Sequence, residues 1–188
     1  YFQQVEALAM RRDLIRRVAK NLKILYSPLH GTGNIPVRRV LRELGFTQVA
    51  VVPQQELPDG NFPTAPYPNP EDPSVFRLAV ELSEREEPDL IFATDPDCDR
   101  IGVLTRTSSG EYVVLTGNQT GALLCDYVIR THQELGTMPP NPAIIKTIVT
   151  SHFGKRICEQ NGVDMAETLT GFKYIGELAE QWERTGEH

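Results

Sequence analysis

Leu90-Ile91-Phe92-Ala93-Thr94-Asp95-Pro96-Asp97-Cys98-Asp99-Arg100 is the stretch around which the rest of the chain is read. An unbroken run of five apolar or β-prone residues has the composition of a strand buried on both faces, as in a parallel sheet. The run leads into carboxylates at alternate positions, Asp95, Asp97 and Asp99, so the acidic cluster sits at a strand's carboxyl end. Ligands of open α/β sheets gather at those ends. Carboxylates on a curled segment converge on a hard cation, and Mg²⁺ is the expected ion. Two like charges about 4 Å apart repel by ~1 kcal/mol in water and ~4 kcal/mol at an effective dielectric of about 20. Three such pairs in a cleft cost roughly 12 kcal/mol, comparable with the roughly 5 to 15 kcal/mol that stabilises a domain, and Arg100 alone does not offset that. The alternative is a solvated acidic turn, in which each pair costs only ~1 kcal/mol. An apolar strand feeding directly into the cluster favours the metal loop.

Upstream, Lys23 to Leu29 reads as a strand, Gly31-Thr32-Gly33 as a turn, and Pro36 to Leu44 as a helix stopped by Gly45. Val49 to Val52 gives a second strand and Ser74 to Glu86 a second helix. Downstream, Ile101 to Thr105 and Glu111 to Leu115 flank Ser108-Ser109-Gly110, a hairpin that adds antiparallel pairing. The fold class expected is α/β, with a mixed, mainly parallel sheet flanked by helices. A helix from Gly117 to about Leu135 follows, and Met138 to Pro142, with three prolines, forms a stiff connection. Beyond it come a strand at Ala143 to Thr150, a helix at Phe153 to Asn161 and a helix at Phe172 to Glu183 carrying Trp182. About 50 residues with one or two strands bury little surface, so this part is expected to be an incomplete second α/β domain. The expected organisation is a leading amphipathic helix and interdomain segment at 1–20, a metal-binding α/β domain at 21–137, and the start of a second domain at 138–188. Tyr1-Phe2-Gln3 is either native helix or a tag remnant.

The 188 residues carry a net charge of −6, which argues against a nucleic-acid backbone as main partner. Arg11, Arg12, Arg16 and Arg17 therefore read as a solvated helix face. Cys98, Cys125 and Cys158 are an odd count at wide separations without a CxxC, which suits a reducing compartment. No apolar run approaches the roughly 20 residues of a membrane span, so a membrane partner is not expected and a cytoplasmic location is. Half of the 14 prolines fall between Pro53 and Pro73, a segment expected to run as a rigid extended loop bordering a site. A PxxP ligand is the alternative there, although nothing basic accompanies it.

Spacing weighs against other motifs, excluding a calcium loop and leaving a phosphatase reading weaker. A calcium loop beginning at Asp95 would need Gly at its sixth position and Glu at its twelfth, where Arg100 and Arg106 stand. A haloacid-dehalogenase phosphatase also places DxD after an apolar strand, but its pattern expects Thr or Val where Asp99 stands. Ser27 to Gly33 offers small residues and a helix start suited to an anion, yet no GK[ST] follows, so it is not a Walker A loop. Ser151 lies between a strand and a helix, where its hydroxyl serves as a cap.

Four blocks in order, SPLHGTG, PDGNFPTAPYPNPE, DPDCDR and TLTGFKYIGE, resemble those of the α-D-phosphohexomutase superfamily, the phosphoglucomutases and phosphomannomutases. The resemblance covers nearly the whole chain and implies the family's second domain plus the start of its third. DPDCDR looks like the family's metal loop, which implies that Asp95, Asp97 and Asp99 hold Mg²⁺ and that Arg100 adds positive charge beside a phosphate. Lys173 aligns with a family lysine that contacts phosphate and acts as a possible acid or base. Gly171 and His30 are implied to border the substrate cleft. The implied reaction interconverts hexose 1-phosphate and hexose 6-phosphate, glucose by default and mannose as an option, through a phosphoserine and a bisphosphate. Ser151-His152 is followed by Phe153-Gly154 rather than the Asn-Pro of the family's nucleophile loop, so it is rejected as nucleophile. The nucleophile, sugar and phosphate loops are expected in the remaining domains of the full-length enzyme, and the chain alone is expected to be inactive. Two other classes stay open: a Mg²⁺-dependent phosphate-ester hydrolase with Asp95 as nucleophile, and a noncatalytic α/β binding module.

Overall fold

In the computed structural model, which describes residues 1–188, the chain runs α1 (Phe2–Ala7), α2 (Arg12–Val18), β1 (Lys23–Ser27), α3 (Asn34–Glu43), β2 (Gln48–Val51) and α4 (Pro53–Glu56). A 3₁₀ turn at Pro73–Phe76 leads into α5 (Arg77–Glu86), β3 (Leu90–Thr94), β4 (Ile101–Arg106) and β5 (Tyr112–Leu115). Then follow α6 (Gly117–Leu135), β6 (Ala143–Thr147), α7 (Phe153–Gln160), β7 (Asp164–Thr168) and α8 (Phe172–Thr185). No helix is long and apolar enough to cross a membrane.

Five strands form one sheet in the order β2-β1-β3-β4-β5. β1 pairs in parallel with β2 and with β3, while β3-β4 and β4-β5 are antiparallel. The sheet is therefore mixed, as the hairpin signal at Ser108-Ser109-Gly110 requires. Because side chains alternate across a strand, Leu25, Ile91 and Ala93 go to one face with Val75, Phe76 and Ala79 around α5. Ile24, Tyr26 and Phe92 go to the other, where Val37 and Leu41 of α3 cover them. Burying each of the larger apolar side chains contributes about 1.5–3 kcal/mol relative to exposure. The two layers hold the carboxyl ends of β1 and β3 side by side, with Ser27 paired to Ala93.

The chain divides into the compact units Tyr1–Gly117 and Asn118–His188. Three expectations change here. The single leading helix is two short helices, with the Arg12 guanidinium donating to the Glu6 carbonyl at 2.5 Å and so satisfying the end of α1. Residues 1–20 are not a separate segment, because α1 packs on α3 and the Arg39 guanidinium lies 3.9 Å from the Phe2 ring centroid. The division falls after Gly117 rather than at the proline run near 138. The reason is packing: Cys125 and Ile129 of α6 share an apolar cluster with Cys158, Val163, Ile144 and Met165 of the later residues. The second unit contains a parallel pair, β6-β7. β7 was not anticipated from the sequence.

Candidate metal centre

Three chain segments build the centre at the carboxyl ends of β1 and β3. The first is the turn Pro28 to Gly33, in which Leu29 and His30 adopt left-handed backbone angles with φ of 45° and 61°. It nests against the turn after β3. Thr32 donates to the Pro96 carbonyl from both its amide, at 2.8 Å, and its hydroxyl, at 3.0 Å. A Cβ on Gly31 would stand 2.3 Å from the Pro96 Cα, and one on Gly33 would stand 2.5 Å from the Tyr26 hydroxyl, so both positions demand glycine for close approach. Beneath them Tyr26 Oη and Thr94 Oγ1 are hydrogen-bonded at 2.8 Å in the core. Burial pushes the Tyr26 phenol well above the usual tyrosine range.

The second segment is the acidic turn itself. Asp95 is 8% exposed, and its Oδ1 accepts from the amides of Asp99 at 3.1 Å and Arg100 at 2.9 Å. Its backbone carbonyl accepts from the Cys98 amide at 3.0 Å, which closes a turn with Cys98 at φ 63°. Folding the loop back on the Asp95 carboxylate brings the three carboxylates round: one oxygen from each of Asp95, Asp97 and Asp99 lies within 4.8 Å of the others. Oxygens on opposite sides of a Mg²⁺ ion are about 4.2 Å apart and neighbouring ones closer, so the spacing of this cluster is compatible with one such ion. The all-oxygen donors and net triple negative charge fit a hard divalent cation and fit a thiophilic one poorly. Asp97 and Asp99 are exposed, so an ion held by them would still be within reach of water or a phosphate oxygen. Arg100 Nε stands 3.9 Å from both Asp95 Oδ2 and Asp99 Oδ1, at the edge of ion-pair distance, so its charge is shared rather than locked to either carboxylate.

The third segment is the proline-rich stretch. It is not wholly extended: Pro53 opens α4 at its first position, and Pro73 opens the 3₁₀ turn behind the Asp72 carboxylate, which accepts from the Ser74 amide at 2.8 Å. Gln55 is fully buried and ties the segment down. It accepts from the Ser27 hydroxyl at 2.7 Å and donates to the Val75 carbonyl at 3.2 Å. His30, expected to border the substrate cleft, is buried at 6% exposure. Its Nδ1 lies 3.1 Å from the Leu57 carbonyl and its Nε2 2.9 Å from Thr64 Oγ1, so both ring nitrogens brace the proline-rich loop. A carbonyl only accepts, so Nδ1 carries the proton. Gln55 escaped sequence reading, because nothing local distinguishes it from Gln54 beside it.

Asp95, Asp97, Asp99 and Arg100 are thus gathered in the first unit. Lys173 and Gly171 belong to the second. Gly171 precedes α8 with φ 134°, a conformation L side chains resist, and Lys173 in the first turn is exposed with its Nζ 4.8 Å from the Tyr174 ring centroid. The Ser151 hydroxyl, one residue ahead of His152, which holds the N-cap position of α7, accepts from the Phe153 amide at 3.1 Å.

Comparison with known proteins follows the same division of the chain. Residues 1–110 match the family described as phosphoglucomutase/phosphomannomutase, alpha/beta/alpha domain II, and residues 116–188 match its domain III. A phosphoglucomutase from Staphylococcus epidermidis is 36% identical over 176 residues, covering 93% of this chain and 30% of that protein. One from Staphylococcus aureus is 38% identical over 171 residues, covering 90% of this chain and 30% of that protein. The chain therefore spans about a third of the length of these relatives. In fold it resembles a phosphoglucomutase/phosphomannomutase family protein from Burkholderia thailandensis, with a TM-score of 0.67 at 20% identity over 97% of this chain and 36% of the other. A phosphomannomutase-like structure from Thermus thermophilus gives 0.62 at 20% identity over 88% of this chain and 37% of the other. With both matched segments spanning the two units, the chain belongs to the phosphoglucomutase/phosphomannomutase family.

Proposed function

We propose that the chain supplies the Mg²⁺-binding centre of a cytoplasmic phosphohexomutase that interconverts hexose 1-phosphate and hexose 6-phosphate, with glucose as the default sugar. The observation that carries this reading is the convergence of Asp95, Asp97 and Asp99 at the carboxyl end of β3. Asp95 is the anchor: its Oδ1 is committed to two backbone amides, which leaves Oδ2 for the ion. Asp97 and Asp99 would supply the other two ligands. When bound, the ion neutralises charge on the transferring phosphoryl group and makes a phosphoserine oxygen a better leaving group. Arg100, exposed and loosely shared between two carboxylates, is free to swing its guanidinium onto a phosphate oxygen. Lys173 is assigned as a phosphate contact and proton carrier near the reacting hydroxyl, with Gly171 allowing the turn that presents it. His30 acts through the loop it braces, as a positioning residue. The phosphoserine and the sugar- and phosphate-binding loops belong to the remaining domains, and this chain alone is inactive.

The test is a coupled assay on the full-length protein with glucose 1-phosphate. Mutase activity that requires Mg²⁺ and falls at least about 10²-fold in Asp97→Asn is expected, since that change removes a ligand charge from the ion. Release of inorganic phosphate by the 188-residue chain alone, lost in Asp95→Asn, would instead identify a hydrolase.

A further inference from the structure

Away from the acidic loop, the second unit brings together two of the three cysteines. Cys125 of α6 and Cys158 of α7 are 33 residues apart in sequence, yet their Sγ atoms lie 3.9 Å apart. Cys158 is buried and Cys125 half-buried. Ile129, Ile157, Val163 and Met165 pack about them, so the sulfurs face one another across an apolar helix seam. A disulfide needs an S–S distance of about 2.05 Å, so closure requires the two sulfurs, 3.9 Å apart, to approach by about 1.9 Å.

We propose that Cys125 and Cys158 form a reversible disulfide site, closed by peroxide-class oxidants, that staples α6 to α7. The Cys125 thiolate, the more accessible, attacks a peroxide oxygen; the O–O bond breaks, hydroxide leaves, and Cys125 becomes a sulfenic acid. The Cys158 thiolate then attacks the Cys125 sulfur, the S–S bond forms and a second hydroxide leaves. Two thiols and one hydrogen peroxide thus give one disulfide and two waters, with sulfur oxidised and peroxide oxygen reduced. Burial pushes both thiols up, Cys158 to about 12, helped by the neighbouring Cys125. Thiolate is scarce at neutral pH, so closure is slow there and accelerates about tenfold per pH unit below the lower thiol pKa. The site does not depend on the reading of the metal centre.

The reduced chain is incubated with hydrogen peroxide at about pH 7.5 and about pH 8.5, then digested without reductant and mapped by mass spectrometry. The expected product is a peptide pair joined through Cys125 and Cys158, lighter than its parts by two hydrogens, absent of Cys98, cleaved by dithiothreitol, and formed about tenfold faster at the higher pH. Cys158→Ala abolishes the cross-link and leaves Cys125 trappable by dimedone. In the oxidised wild-type chain, thermal unfolding read by Trp182 fluorescence moves upward by about 5–10 °C. Recovery of both thiols unmodified after a cysteine-containing control peptide is fully oxidised would overturn the proposal. So would a cross-link that forms as fast in concentrated urea as in buffer, because the fold would then contribute nothing.

Discussion

Gly31→Ala tests the contact that shapes the centre. An added Cβ would meet the Pro96 Cα at 2.3 Å, its carbonyl oxygen at 2.6 Å and its carbonyl carbon at 2.8 Å. All three are backbone atoms, so no side-chain rotation relieves the overlap, and the turn after β1 must separate from the turn after β3. Overpacking of this kind costs about 1–3 kcal/mol. Separation also strains the Thr32 amide bond to the Pro96 carbonyl, 2.8 Å long, whose net worth is about 1 kcal/mol. The sum, about 2–4 kcal/mol, lowers the folding constant of the first unit by roughly 30- to 700-fold at about 1.4 kcal/mol per decade. Gly60→Ala is the control, since nothing stands within 4 Å of its Cβ position, and it is expected to be neutral or stabilising by up to about 1 kcal/mol. Native-state amide exchange at Leu25, Tyr26, Ile91 and Phe92 reads the first unit directly. Exchange free energies in Gly31→Ala that match those of Gly60→Ala would refute the reasoning, because they would mean the two turns are not in contact.

Three further outcomes follow from the same contacts. Tyr26→Phe leaves Thr94 Oγ1 without its buried partner and costs about 1–2 kcal/mol. Because burial raises the folded-state value of the Tyr26 phenol, its contribution is complete below about pH 10, the unfolded value, and is lost as pH rises further. Tyr26→Phe should thus flatten the alkaline limb of urea-derived stability against pH. In the second unit, the Lys146 ammonium beside Glu167 holds that carboxyl below its ordinary value, so the contribution is present above the unfolded value and lost as pH falls. Glu167→Gln removes that acid-limb dependence, measured by Trp182 fluorescence. Lys146→Met, which also removes donors to the Thr147 and Thr150 carbonyls at 3.3 Å and 3.1 Å, loosens the turn after β6 and raises amide exchange there.

Where the sequence carries a strong local signal, the elements read correctly. Leu90–Thr94 is a strand because an apolar run of that length between turn residues has no helical periodicity, and Gly117–Leu135 is a helix bounded by Gly117 and Gly136. β7 was illegible because Asp164-Met165-Ala166-Glu167-Thr168 is short, polar and half-exposed, and it is held by its partner β6 rather than by composition. The unit boundary misled for a related reason: the proline run at 138–142 is stiff, but the packing of Ile129 and Cys125 decides where α6 belongs. At the centre, the spacing of Asp95, Asp97 and Asp99 was readable, since alternation on a turn converges them. The role of His30 was not. Its two nitrogens find Leu57 and Thr64, 27 and 34 residues away, and no local pattern encodes a contact at that range. Gln55 was hidden in the same way.

The central claim is most directly tested with Mn²⁺ as a paramagnetic probe of the isotopically labelled chain. The account predicts saturable broadening confined to amides around Asp95 to Arg100, reversed by excess Mg²⁺ and absent in Asp97→Asn. Broadening spread over other acidic surface positions, or broadening in Asp97→Asn equal to that of the wild-type chain, would contradict it.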